Sequence, residues 1–309
     1  MTEILKIASI GTYLPSKRVD NKAKAEKYGY AKTFVDRKLG FKSIAKKTKE
    51  ETVIEMCLKA YDNLTKKQEF NEKEIELVTV VTQSKSVSIP HASAIIHNEL
   101  KLNKQCMTFD ISQGCSGYVH ALSIVKSVMQ SLNFQNALIF TCDPYSEIID
   151  DNDPNVSMIF GDGATVSLIN SKESGFFMKD FKFGTVPESN ECLINKDGFF
   201  RMDGRRVFNY AIQEIPQSVN QLLDKNHVAK DEVDLFLFHQ GSKYIVDSLT
   251  KQLEVNQDLV IFNSDNYGNT VSSSIPLLLS RYLDSLEIKT VILSGFGVGF
   301  TWGTCILSK

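Results

Sequence analysis

The chain of 309 residues carries the same unit twice, at a spacing of about 155 residues, and a repeat of that size leaves few folds open. An amphipathic stretch (51–65) precedes EIELVTVVTQ (74–83), and another (207–224) precedes EVDLFLFHQ (232–240), with Leu77 matching Leu235. FDISQGCSG (109–117) then matches FNSDNYGNT (262–270). Each reads as a short strand, a glycine-containing turn and a helix. The spacing predicts those helices over 118–132 and 272–286, with Tyr118, Leu122, Val125 and Met129 on one face and Ile275, Leu278, Tyr282 and Leu286 on the other helix's face. Apolar strands follow at 137–141 and 290–294. Strands alternating with helices predict parallel pairing with helices on both faces.

The division should fall near 171–174, giving halves 1–171 and 172–309, after an expected hairpin over 158–169 in which FGDGA (160–164) forms the turn. No linker separates the halves, so they should pack intimately.

Composition narrows the function. Hydrophobic residues make up 42% and charged residues 23%, as in ordinary globular chains. The net charge of −2 gives no overall field for nucleic acid or membrane. The first 50 residues hold 13 Lys/Arg against five Asp/Glu, which fits a solvated lysine face or a site for phosphates. No apolar run reaches membrane-span length. The N-terminal stretch, with Glu3 ahead of a short apolar strand, does not read as a signal peptide. Six widely spaced cysteines (57, 106, 115, 142, 192, 305) lack zinc spacing and suggest reduced thiols in a cytoplasm.

In parallel α/β sheets, ligands gather beyond the carboxyl ends of the strands. Cys115, Asn269 and His239 all fall at such ends, and a pseudo-twofold relation can bring them to one site. Cys115 sits at a helix start, where the macrodipole favours a thiolate, although most cysteines are small core residues. His239 ends an apolar run, where it is either a satisfied strand-end residue or a group that moves a proton or donates to an oxyanion. Asn269 is either a turn residue or a second donor, and it cannot be a base. GFGVGFTWG (295–303) fails the dinucleotide spacing and leads into a strand, so it suits an oxyanion loop better than a phosphate loop.

DISQGCSGY (110–118), FHQ (238–240), YGNT (267–270), GFGVGFTWG and FGDGA, in this order from IGTYLP (10–15) to the C-terminus, resemble the signatures of type III β-ketoacyl-acyl-carrier-protein synthases. The resemblance implies the thiolase fold, two duplicated α/β halves in an αβαβα sandwich. It implies Cys115 as the nucleophile that takes an acyl group from a thioester. His239 and Asn269 then stabilise the enolate formed as a malonyl thioester loses CO2, and the product is a 3-oxoacyl thioester. Backbone N–H groups of Cys115, Val298 and Gly299 are implied for the oxyanion hole.

Phe34 and Lys38 stand where the family binds the donor's nucleotide, Ile89 where a dimer partner caps the acyl tunnel, and Phe296 beside the substrate. The family's arginine after the catalytic histidine is Tyr244 here and a docking lysine is Asn209. Arg205, Arg206, Lys243 and Lys251 are the nearby candidates for carrier-protein docking. Another arginine position falls at Pro154 within the acidic run 147–153, whose charge should repel a CoA phosphate. Expected substrates are acyl-CoA or acyl-carrier thioesters with malonyl-carrier protein. No metal or resident cofactor is called for, and the resemblance implies a homodimer. The altered entrance suggests a specialised product. The competing reading is a non-condensing acyltransferase that moves the acyl group to an alcohol or amine.

Overall fold

The computed structural model of the chain describes residues 4–31 and 33–309. Met1, Thr2 and Glu3, read above with the first strand, lie outside the described residues. Up to Asn170 the chain forms β1 (Lys6–Tyr13), a ribbon of β2 (Arg18–Asp20) and β3 (Ser43–Ala45) around α1 (Asn21–Lys27), and then α2 (Val53–Lys67). There follow β4 (Leu77–Val81), α3 (Ala92–Glu99), β5 (Met107–Ile111), α4 (Gly117–Leu132), β6 (Asn136–Cys142) and β7 (Ala164–Asn170). The remainder gives β8 (Phe176–Thr185), a ribbon of β9 (Leu193–Lys196) and β10 (Phe199–Met202), α5 (Gly204–Lys225) and β11 (Leu235–Phe238). It closes with α6 (Lys243–Leu253), α7 (Ser274–Leu279), β12 (Thr290–Gly297) and β13 (Thr301–Ser308).

Nine strands run in the order β11-β12-β13-β8-β1-β7-β6-β4-β5. The two ends of that order mirror each other. β5, β4 and β6 pair in parallel, and β7 and β1 follow antiparallel. On the other side Val260 bridges β11 in parallel, β11 pairs with β12 in parallel, and β13 and β8 follow antiparallel. The two leaves meet through β1 and β8 over only two residue pairs. β7 ends at Asn170 and β8 starts at Phe176, so residues 171–175 join the two.

Strand periodicity explains the layers. Successive side chains point to opposite faces, so Val78 and Val80 of β4 pack with α2 and α3, while Leu77 and Val81 pack inward with α4 and α7. In β11, Leu235 and Leu237 face that same inner layer, and Phe236 and Phe238 face α5 and α6. The result is α2/α3, leaf, α4/α7, leaf, α5/α6: the five-layered thiolase architecture. α2 starts with a capping box, Thr52 accepting from the Glu55 N–H while the Glu55 carboxylate accepts from the Thr52 N–H.

Three elements differ from expectation. The short strand read at the start of 262–270 does not form; the chain there makes only the single bridge of Val260 to Phe236 before it turns. The helix predicted over 272–286 is α7 alone, six residues long, and Leu286 is 89% exposed. Arg281 and Tyr282 donate to Leu278 and Leu279, three residues back. That bonding tightens the chain out of α-geometry and turns Leu286 away from the core. The hairpin predicted over 158–169 is absent: only β7 is a strand, and Phe160 instead bridges Asn269. The Gly161 N–H donates to Asn269 O and the Asn269 N–H to Ile159 O, both at 2.9 Å. A Cβ on Gly161 would lie 1.9 Å from Tyr267 O, so only glycine lets these segments touch. FGDGA is thus a brace for the Asn269 segment.

Candidate active site

Cys115, His239 and Asn269 line one cavity of about 520 Å³, and all three are buried. Each arrives from a different element. Cys115 lies just before α4, with Ser116 as N-cap; His239 follows β11, its N–H donating to Ser294 O of β12 at 2.9 Å; Asn269 lies in the segment leading to α7. β12 runs hard against the cysteine: a Cβ on Gly297 would sit 2.9 Å from Cys115 Sγ. Val298 of the following turn also lines the cavity, and Gly299 has φ +78°.

Hydrogen bonds fix the polar pair. Val271 N–H donates to Asn269 Oδ1 at 2.8 Å, and Asn269 Nδ2 lies 3.2 Å from His239 Nε2. His239 Nδ1 lies 2.7 Å from Ser274 Oγ. Val271 holds φ +53°, a costly conformation for a β-branched residue, on the order of 1–3 kcal/mol, and in that conformation its N–H reaches the Asn269 amide. The Phe296 ring meets the imidazole edge-on, 5.5 Å between centroids at 88°.

The electrostatics correct one expectation. Burial, then the Asp143 carboxylate, pushes the Cys115 thiol well above its ordinary range. A helix start contributes only about 0.3–1 kcal/mol towards the thiolate, and here desolvation wins. Burial also pushes His239 down to about 3. The resting pair is therefore a thiol and a neutral imidazole, and the thiol needs a base.

Phe34, Lys38 and Phe296 line the cavity with the three polar residues, whereas Ile89 lies outside its own chain's cavity and is 96% exposed. At the exposed rim the Lys38 ammonium stands 3.6 Å over the Tyr244 ring, and Tyr30 stacks on Phe34 at 4.2 Å. Arg205 lines the rim, Arg206 donates to Glu188 O, and Lys243 pairs with Asp247 at 2.8 Å. Lys251 lies eight residues further along α6, about 12 Å away at 1.5 Å per residue.

The acidic run is not a free negative field. Asp151 pairs with Lys24 and Lys46, Glu147 with Lys47, and Asp153 with Arg201. At Asp151 burial is outweighed by Lys46 and Lys24, which hold its carboxyl below the ordinary range. The repulsion expected from sequence is largely neutralised.

Two residues escaped sequence reasoning. Ser274 sits in the run Ser272, Ser273, Ser274, where residue type singles out none of the three. Asp143 did leave a signal: like His239, it is a titratable group at the carboxyl end of an apolar strand.

The residues match known proteins over the whole chain. Family models for 3-oxoacyl-[acyl-carrier-protein] synthase III match residues 109–187, and for its C-terminal part residues 223–309. A β-ketoacyl-[acyl-carrier-protein] synthase III of Acholeplasma laidlawii is 30% identical over 98% of both chains, and one of Streptococcus agalactiae 29% over 98% of both. The crystal structure of a 3-oxoacyl-(acyl-carrier protein) synthase from Burkholderia xenovorans superposes with TM-score 0.92 at 28% identity, covering 99% of this chain and 94% of that one. Its counterpart from Aquifex aeolicus gives 0.90 at 27%, covering 99% and 100%. Fold and site together are those of a thiolase-fold condensing enzyme, an acyltransferase. The chain belongs to the β-ketoacyl-[acyl-carrier-protein] synthase III family.

Proposed function

We propose that Cys115 takes an acyl group from a thioester and that His239 and Asn269 hold the enolate formed as malonyl-carrier protein loses CO2. The enolate carbon attacks the acyl-cysteine, giving a 3-oxoacyl thioester. The observation that carries this reading is the hydrogen-bonded His239–Asn269 pair facing the same cavity as the cysteine: decarboxylation needs donors, which an amide and an imidazole supply. Backbone N–H groups of Cys115, Val298 and Gly299 are the proposed oxyanion hole. These steps close with thioester substrates alone and need no resident cofactor.

On the donor side we propose a carrier-bound or unusual starter and a specialised product, supported by Tyr30 covering one face of Phe34 and by Tyr244 and Asn209 at the cavity. Of the docking candidates, Arg205 is best placed, at the exposed rim. A homodimer is proposed from the open edge of β5, and a cytoplasmic location from the six free thiols. Among the described residues no helix is long and apolar enough to cross a membrane.

Intact-protein mass spectrometry with a panel of acyl-CoA and acyl-carrier donors tests the reading, with Cys115→Ala as control. A wild-type-only adduct, discharged by malonyl-carrier protein with CO2 release, is expected. An adduct that malonyl thioesters leave untouched would instead favour the non-condensing acyltransferase, to be tested by discharge onto alcohol and amine acceptors. Loading by acetyl-CoA as fast as by any carrier-bound donor removes the donor proposal.

A further inference from the structure

The His239 ring is gripped at both nitrogens, and the grip at Nε2 dictates the one at Nδ1. Because Val271 N–H is spent on Asn269 Oδ1, the Asn269 amide turns its donor end, Nδ2, towards Nε2. A donor facing Nε2 requires that nitrogen to be bare, so the imidazole proton sits on Nδ1 and is donated to Ser274 Oγ, 2.7 Å away. Ser274 is fully buried and is the first residue of α7, so its hydroxyl is placed by the start of a helix.

We propose that Ser274 is a positioning residue that sets the tautomer of His239 and lets the ring serve both half-reactions. This rests on the condensing reading above. As an acceptor, Ser274 keeps Nε2 bare, the state that can take the proton of a buried thiol. Turned to donate into Nδ1, the same hydroxyl supports the Nε2–H tautomer, in which Nε2–H and Asn269 Nδ2–H give up their bond to each other and both donate to the enolate oxygen. A carbonyl at this place would allow only the first state and a backbone N–H only the second; a hydroxyl allows both.

The steps balance. In loading, the Cys115 proton passes to Nε2 and on to the departing thiolate, as the new S–acyl bond forms and the old one breaks. Tautomer exchange gains one proton at Nε2 and loses one at Nδ1, with solvent water as carrier. In condensation the bond to the malonyl carboxylate breaks to release CO2, and its electron pair enters the enolate. The enolate carbon bonds to the acyl carbon and expels the Cys115 thiolate, which takes a proton from solvent.

The first test is nitrogen NMR of 15N-histidine-labelled enzyme without substrate, the His239 signals assigned with His239→Gln. A bare Nε2 with a protonated Nδ1 is expected, and a protonated Nε2 overturns the proposal. Kinetics supply the second. Ser274→Ala should lower kcat for CO2 release about tenfold, with KM within about threefold, the loss expected when a buried nitrogen has no partner. Ser274→Thr, which keeps the hydroxyl, should recover most of that rate. Unchanged kcat in the alanine variant, or equal loss in a threonine variant with wild-type melting, overturns it. The NMR readout needs no substrate, so a wild type that neither loads nor decarboxylates defeats the condensing reading and leaves the tautomer result standing.

Discussion

Asp143 is the residue whose charge most affects the nucleophile without lining its cavity. It follows β6, is buried, and accepts from the Gln83 N–H at 2.6 Å and from the Ser272 hydroxyl. Burial raises its carboxyl to about 6 despite those bonds, against about 4 in an unfolded chain. A carboxyl raised on folding favours its protonated form in the native state. The stability it contributes is full below about 4 and is lost as pH rises through about 6. Asparagine would keep the contacts, its oxygen taking the Gln83 N–H and its amide donating to Ser272. Asp143→Asn should therefore gain in melting temperature relative to wild type as pH goes from 5 to 7. It should also speed alkylation of Cys115 by iodoacetamide above pH 6, since the carboxylate that helps to hold the thiol up is gone. Parallel melting curves and equal alkylation rates would show that burial alone sets the thiol. Cys115, His239 and Asn269 were legible as candidates because Cys115 and Asn269 lie at matching junctions of the repeat and His239 follows an apolar strand. The supporting shell was not, because three adjacent serines part company only in the folded chain: Ser272 bonds Asp143, Ser273 bonds Thr141, and Ser274 bonds His239.

At the scale of elements, most of the framework was legible from period and length. β4 and β11 are apolar on both faces because both faces are covered, and the stretches at 51–65 and 207–224 form α2 and α5. Errors came at α7, which stops at Leu279 as local three-back bonding takes over, and at FGDGA, where tertiary contact with Asn269 replaces a hairpin partner. The segment between β4 and α3 carries Ile89, which touches none of its own chain's cavity and is 96% exposed. Exposure of that degree on a large aliphatic side chain suits a residue that caps a neighbour's tunnel. Ile89→Phe should then shorten the longest acyl chain that Cys115 accepts, read as adduct masses across a chain-length series. An unchanged length profile removes the capping role.

For the whole molecule, that capping needs a second copy placed against β5. The sheet order ends in β5, so one side of that strand has no sheet neighbour, and an open edge with apolar side chains invites pairing. Met107 is 40% exposed there, and Phe109 and Ile111 are only partly covered by the inner core. A twofold axis at this edge would join two nine-stranded sheets, and the capping role requires that the same axis set each Ile89 against the other copy. Light scattering should give twice the chain mass of 34.7 kDa. Lysine is the residue that natural edge strands use to refuse a partner. Met107→Lys sets like charges across the twofold edge and should weaken dimerisation about tenfold or more. Met107 reaches neither the inner core cluster nor the cavity, so circular dichroism should match wild type and any fall in turnover should track the monomer fraction. A wild type that stays at the single-chain mass at micromolar concentration would defeat the dimer. The role of Ile89 would fall with it, since nothing within one chain brings that residue to the site.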